Sequence, residues 1–183
     1  APWFLVLEGL FALNVAMSLV DRFPWGKARV GFVILHGSLL VVLIGAAVTY
    51  LFKVEGTLAL WEGEERSEIV RVDEAGREQQ RWALPFAVRL EDFVVETHPG
   101  TSRPARFESR VRITDPETGQ AFPARIWMNH ELHHRGFVLH QSGYQQQGER
   151  EMTVLAVSKD PGQPIVFTGF FGLLAGMAMV FVT

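Results

Sequence analysis

Hydrophobic and polar positions along the chain fall into two regimes. Residues 1–20, 30–52 and 164–183 are apolar almost without interruption. Each is long enough to cross about 30 Å of hydrocarbon, which takes roughly 20 helical residues. Between the second and third stretches, residues 53–163, the pattern changes to alternation. Phe107, Ser109, Val111 and Ile113 alternate with Glu108, Arg110 and Arg112, the period-two pattern of a half-buried strand. Related runs are Trp82–Val95, Ala124–Met128, Gly136–Gln141 and Met152–Val157. Turn chemistry separates them at Asp73-Glu74-Ala75-Gly76, His98-Pro99-Gly100 and Asp115-Pro116-Glu117-Thr118-Gly119. The pattern predicts a membrane α plus β protein: three transmembrane helices, with an extracytoplasmic antiparallel β-sandwich or barrel-like domain between the second and third.

The flanks of the apolar stretches refine this. Pro2 and Trp3 suit a membrane-entry turn, and Asp160-Pro161-Gly162 places a capping carboxylate and a first-turn proline ahead of the third helix. Gly172 and Gly176 form a small-xxx-small face against which another helix can pack closely. The connection 21–29 is short and carries Arg22, Lys27 and Arg29. Short basic loops stay in the cytoplasm, so a multi-pass protein of the inner (cytoplasmic) membrane with a periplasmic domain at 53–163 is expected. The chain opens at Ala1 and stops at Thr183 while still apolar, so material beyond both ends is expected.

Composition narrows the class. The mean hydropathy of +0.14 averages two unlike populations, and the net charge of −3 comes from interspersed signs, so no basic stripe for nucleic acid is present. Without cysteine there is no disulfide, no thiolate metal site and no covalent haem attachment motif.

Few residues carry candidate chemistry. His36 lies about six residues into the second apolar stretch, where an ionisable side chain needs a partner or a task. Its position fits two roles: a hydrogen bond to a neighbouring helix, or an axial ligand to haem iron on a helix lined by Leu40 and Leu43. Glu8, within two turns of the outer end, is expected to snorkel, and Asn14 to bond between helices. His130-Glu131-Leu132-His133-His134 spells the H-E-x-x-H zinc pattern, which requires a helix, yet strand-like runs flank it closely. The segment therefore reads as a solvated loop, with metal binding by it and His140 as the alternative. Arg103, Arg106, Arg110 and Arg112 suit oxyanions, or strand-face pairing with Glu108 and Asp115.

Taken in order, several strings resemble the ResB/CcsB family of System II cytochrome c biogenesis. They are Pro2-Trp3-Phe4 with Asn14, residues 31–47 (GFVILHGSLLVVLIGAA), Glu55-Gly56-Thr57 and Trp61-Glu62-Gly63-Glu64. Leu84-Pro85-Phe86, Leu90-Glu91-Asp92-Phe93, His98-Pro99-Gly100-Thr101-Ser102 with Pro104, and Ser109 follow. Met128-Asn129, Gly136-Phe137, Gln141-Ser142-Gly143-Tyr144 and Asp160-Pro161-Gly162 complete the set. The resemblance implies that His36 is the transmembrane ligand, and so the metal contact, of a haem b shared with a CcsA/ResC-type partner. It also implies haem export and support for haem attachment to apocytochrome c, with membrane lipid as surroundings and no catalytic residue in this chain. The partner's tryptophan-rich haem-handling segment is absent from this sequence, so the chain alone is not expected to be an enzyme. The alternative is a non-catalytic accessory subunit of a respiratory membrane complex.

Overall fold

The computed structural model describes residues 2–26, 29–73, 75–97, 100, 104–148 and 150–182. Lys27 of the basic loop, Glu74, His98, Pro99 and Thr101 to Arg103 lie outside the described residues. Two compact units result: residues 1–53 with 160–183, and Val54–Lys159.

The first unit holds α1 (Pro2–Asp21), α2 (Val30–Phe52) and α3 (Gln163–Val182). All three are long and apolar enough to cross a membrane. Residues facing α3 recur along α2 at Gly31, Leu35, Ser38, Val42, Gly45 and Thr49. This alternation of three- and four-residue steps is the seam of two helices in shallow, left-handed packing. Glycines allow the close approach. A Cβ built on Gly176 would lie 2.6 Å from the Leu35 nitrogen, and one on Gly169 would lie 2.9 Å from the Val42 nitrogen. Gly172 faces the Ser38 hydroxyl, and Gly162 faces Thr49. At the start of α3, Asp160 Oδ1 accepts hydrogen bonds from the Gly162 N–H (2.9 Å), the Gln163 N–H (3.2 Å) and the Thr49 hydroxyl (2.8 Å). The carboxylate thus caps the helix as the sequence predicts. Because α3 begins at Gln163, its first-turn proline is Pro164 rather than Pro161.

The second unit is an eight-stranded antiparallel sheet: β1 (Val54–Trp61), β2 (Glu65–Val72), β3 (Glu78–Thr97), β4 (Pro104–Asp115), β5 (Gln120–Trp127), β6 (Leu132–His134), β7 (Phe137–Gln147) and β8 (Arg150–Lys159). The strand order is β5-β4-β3-β2-β1-β8-β7-β6, and the sheet curls until its ends nearly meet. Alternation explains the core. Leu84, Phe86, Val88 and Leu90 of β3 point inward, as do Val111 and Ile113 of β4 and Leu155 and Val157 of β8. A register shift between Leu90 and Asp92 inserts one extra residue, so inward parity moves from even positions to Phe93. Pro85 falls between the Ala83 and Val88 rungs of the β2 ladder, where a missing N–H costs nothing.

Polar side chains draw the two ends of the sheet together. The buried Ser109 hydroxyl (β4) donates to Gln141 Oε1 (β7) at 2.6 Å, and Gln141 Nε2 donates to Thr153 Oγ1 (β8) at 3.0 Å. The Thr153 hydroxyl returns to Ser109 Oγ at 2.8 Å, closing a ring in which every member is satisfied.

A second clasp sits at the β4–β5 turn. Buried Asp115 accepts from the N–H groups of Glu117 and Thr118 (3.0 and 3.2 Å) and pairs with Arg135 Nε at 2.6 Å. Burial alone would raise the Asp115 carboxyl. The two turn N–H groups, Arg135 and His134 outweigh that and hold it below the ordinary carboxylate value. With the folded-state value lowered, the stabilisation is present above the unfolded value and lost as pH falls through the folded one. Asp115→Asn should therefore destabilise the fold at neutral pH, by loss of the charge-assisted contacts to Arg135 and the turn N–H groups. Urea unfolding of the full chain in detergent, run across acidic pH, is the check. The gap between wild type and variant should close as pH falls, and a pH-independent gap would contradict the assignment.

Candidate functional site

His36 sits on α2 beside the loop that follows α1. Its Nδ1 lies 3.0 Å from the Phe32 carbonyl oxygen. A carbonyl can only accept, so Nδ1 is the donor in this contact, and in the neutral ring the lone pair then lies on Nε2. The local reason is helical: Phe32 is one turn before His36, and the carbonyl is available because the imidazole reaches back along the helix. The Phe32 ring also stacks on the imidazole, with centroids 3.9 Å apart and planes tilted by 35°. His36 is half-buried and is fixed at one nitrogen and one ring face.

The rest of α2 divides by face. Ser38 and Gly45 pack on α3, while Leu40, Leu43, Ile44 and Ala47 line an apolar groove of about 510 Å³ shared with α1. Glu8 of α1 lines the same groove. Its Oε1 is buried and has no hydrogen-bond partner among the described residues, whereas Asn14 lies on an exposed face of α1.

The H-E-x-x-H segment has no helical context. Leu132–His134 is strand β6, joined to β7 by a tight turn in which Arg135 and Gly136 take φ of 49° and 77°. The histidines are dispersed. His130 stacks on Trp127 at 3.6 Å, His133 Nε2 meets Glu131 at 2.8 Å, and His140 Nδ1 meets the other oxygen of Glu131 at 3.0 Å. His134 lies edge-on to Phe86 and Phe122, and its Nε2 is 3.4 Å from Asp115 without the alignment of a hydrogen bond. Among the described residues no three His, Asp or Glu side chains are arranged around a common metal position.

Of the candidate oxyanion-binding arginines, Arg103 lies outside the described residues, and the other three have carboxylate partners. Arg106 and Arg110 reach Glu108 at 2.6 and 3.3 Å, Arg110 reaches Asp92 at 2.7 Å, and Arg112 reaches Glu91 at 2.5 Å. Glu108 fills the role expected of it, whereas Asp115 serves Arg135 instead.

Trp61-Glu62-Gly63-Glu64 and Leu90-Glu91-Asp92-Phe93, far apart in sequence, form one joint. Glu62 Oε1 accepts from the Phe93 N–H at 3.0 Å, Gly63 N–H donates to the Leu90 carbonyl at 2.8 Å, and Leu90 N–H donates to the Glu64 carbonyl at 3.0 Å. Gly63 takes a φ of 81°, which only glycine adopts freely. Nearby, the Glu151 carboxyl is pushed up, first by burial and then by the charges of Glu62 and Asp92. These strings are scaffold, and His36 stands apart from them as a polar ring with an uncommitted nitrogen.

Two further groups beside His36 have no sequence signal. Phe32 is one apolar residue among many, and Arg22 belongs to the loop; the guanidinium carbon of Arg22 lies 4.2 Å from the Phe32 ring centroid.

The chain matches the ResB-like family over residues 26–154. A cytochrome c biogenesis protein CcsB of Synechococcus sp. (strain RCC307) is 28% identical over 120 residues, covering 63% of this chain and 24% of that protein. The chain thus spans about a quarter of the length of that relative. Among solved structures, a cytochrome c haem lyase CcmF superposes with a TM-score of 0.47 and 14% identity, over 94% of this chain and 28% of that one. Since the family match takes in all of α2 with His36 and the β unit as far as β8, the chain belongs to the ResB-like family.

Proposed function

We propose that the chain is the ResB/CcsB-type subunit of a System II cytochrome c biogenesis machine, working with a CcsA/ResC-type partner. In this reading it helps export haem and supports haem attachment to apocytochrome c. His36 supplies one axial ligand to a haem b between α2 and a partner helix. The observation that carries the reading is a half-buried imidazole on an apolar helix whose Nδ1 is engaged by the Phe32 carbonyl, so that Nε2 is the nitrogen left to ligate. A neutral imidazole with its other nitrogen held by a carbonyl is the form that ligates iron. The haem supplies the iron and a large apolar face. Phe32 fixes the ring's tautomer and tilt, and Leu40 and Leu43 keep water away from the next turns of α2. No second imidazole lies on the described helices, so in this reading the opposite axial position falls to a helix outside them.

The basic residues Arg22 and Arg29 orient the chain, with the loop in the cytoplasm of a bacterial-type inner membrane and the β unit in the periplasm. α1 then runs inward, α2 outward and α3 inward.

Purification of the chain with its native partners tests the reading in one preparation. The expected result is a low-spin b-type haem spectrum and a subunit with a tryptophan-rich periplasmic segment. A haem-free complex, or quinone-reactive and multihaem respiratory subunits in its place, would refute it. The same cells report orientation, because the chain has no cysteine and a Ser67→Cys variant carries a single exposed thiol on β2. Impermeant reagent should label it once the outer membrane alone is opened; labelling only after inner-membrane lysis would reverse the topology.

A further inference from the structure

The Phe32 ring has two close neighbours. The His36 imidazole lies 3.9 Å from its centroid, and the Arg22 guanidinium carbon lies 4.2 Å from the same point. Two groups that near one centroid cannot share a face, so the ring is held between the imidazole and the guanidinium. The order along the unit is fixed: Arg22 follows the last residue of α1, Phe32 belongs to the first turn of α2, and His36 is one turn further on.

Arg22 is also tethered. Its carbonyl accepts a hydrogen bond from Arg29 Nη1 at 3.2 Å, and Trp25 Nε1 donates to the Leu19 carbonyl at 2.9 Å, folding the loop back on the end of α1. Among the described residues no carboxylate pairs with Arg22, in contrast to Arg106, Arg110 and Arg112 on the sheet. A guanidinium held on an aromatic face by cation–π attraction keeps its planar fork of donors free, and that fork matches a carboxylate in a bidentate pair.

From this arrangement we infer that Arg22 is the carboxylate anchor for a porphyrin ligated by His36, with the Phe32 ring as the spacer between the two contacts. The inference rests on the proposed haem ligation by His36. A porphyrin carries its carboxylates on one edge, removed from the iron. With iron on Nε2, an anchor displaced from the imidazole by one aromatic ring, on the loop side, would meet that edge. Arg22 would then set which way the macrocycle faces, a task that an axial ligand alone cannot perform because the iron–nitrogen bond permits rotation. Arg22 is a positioning residue; His36 holds the metal.

The test uses the complex with its partner in detergent, stripped of haem and titrated with haemin or with haemin dimethyl ester, whose carboxylates are blocked. The Soret band reports binding. Wild type should bind the free acid more tightly than the ester. Arg22→Gln should weaken free-acid binding about tenfold, the scale of one charge-assisted pair, and leave ester binding unchanged. Arg22→Lys should fall between them, since lysine keeps the charge but not the fork. Equal losses for acid and ester in Arg22→Gln would make Arg22 structural, and no loss for either would leave it without a part in haem binding; both outcomes overturn the inference. His36→Ala separates the underlying reading, because it should weaken both ligands alike. If His36→Ala changes neither, ligation by His36 fails, and the anchor assignment fails with it.

Discussion

On the proposed ligation, replacing His36 with alanine should weaken haem binding by the purified complex at least about 100-fold, while α2 still packs on α3. The size follows from chemistry: outer partners of metal ligands are themselves worth roughly 10- to 100-fold, and the variant would remove the proposed ligand itself. The structural cost is small by comparison. One hydrogen bond to the Phe32 carbonyl and one half-buried ring contact are lost, and neither belongs to the α2–α3 seam. Cytochrome c maturation in cells should fall with occupancy. Added imidazole should recover part of both, because a free ring can enter the space left by the side chain and offer the same nitrogen. An unchanged haem spectrum with normal maturation would leave His36 as a hydrogen-bonding residue of α2 and end the ligation proposal.

The second large effect is expected on α3, and it comes with a built-in ranking. A Cβ at Gly176 meets the backbone of Leu35, with the nitrogen at 2.6 Å and Cα at 2.9 Å, and backbone cannot rotate out of the way. Gly176→Ala should therefore separate the helices and cost about 1–3 kcal/mol, the range for overpacked sites. At Gly172 the obstacle is the Ser38 hydroxyl, which can change rotamer, so Gly172→Ala should cost less. Nothing lies within 4 Å of a Cβ at Gly9, so Gly9→Ala should be neutral or slightly favourable through helix propensity. Thermal unfolding of the full chain in one detergent gives the order. If Gly9→Ala destabilised as much as Gly176→Ala, the seam would not be where the structure puts it.

How much of this was readable beforehand depends on the distance over which each feature is encoded. The three apolar helices and the inward set Phe107, Ser109, Val111 and Ile113 are written in local periodicity, and the Asp160 cap is written in three adjacent residues. β2 escaped because its first four residues are exposed and it shows no clean alternation. The parity change in β3 escaped because a bulge leaves no mark on composition; the Trp61–Glu64 turn that fits against it lies far upstream. The H-E-x-x-H letters arose in a hairpin, where Arg135 and Gly136 reverse the chain immediately after His134. His36 stood out through the cost of its polarity among apolar neighbours. Phe32, which meets its ring, and Arg22, which lies over Phe32, are an ordinary apolar residue and a residue of another element, and only folding brings them into view.

The ring formed by Ser109, Gln141 and Thr153 occupies the inside of the curled sheet, and Leu58, Leu60, Ile69, Phe86, Val88, Leu90 and Leu139 fill the space around it to 1% exposure or less. Eight strands enclose just enough room for their own side chains. Among the described residues the interior of the β unit is consequently filled by its own side chains. With that interior occupied, a partner of the proposed machine would find the outward-facing side chains and the loops at the two rims, and a docking surface is to be sought there first.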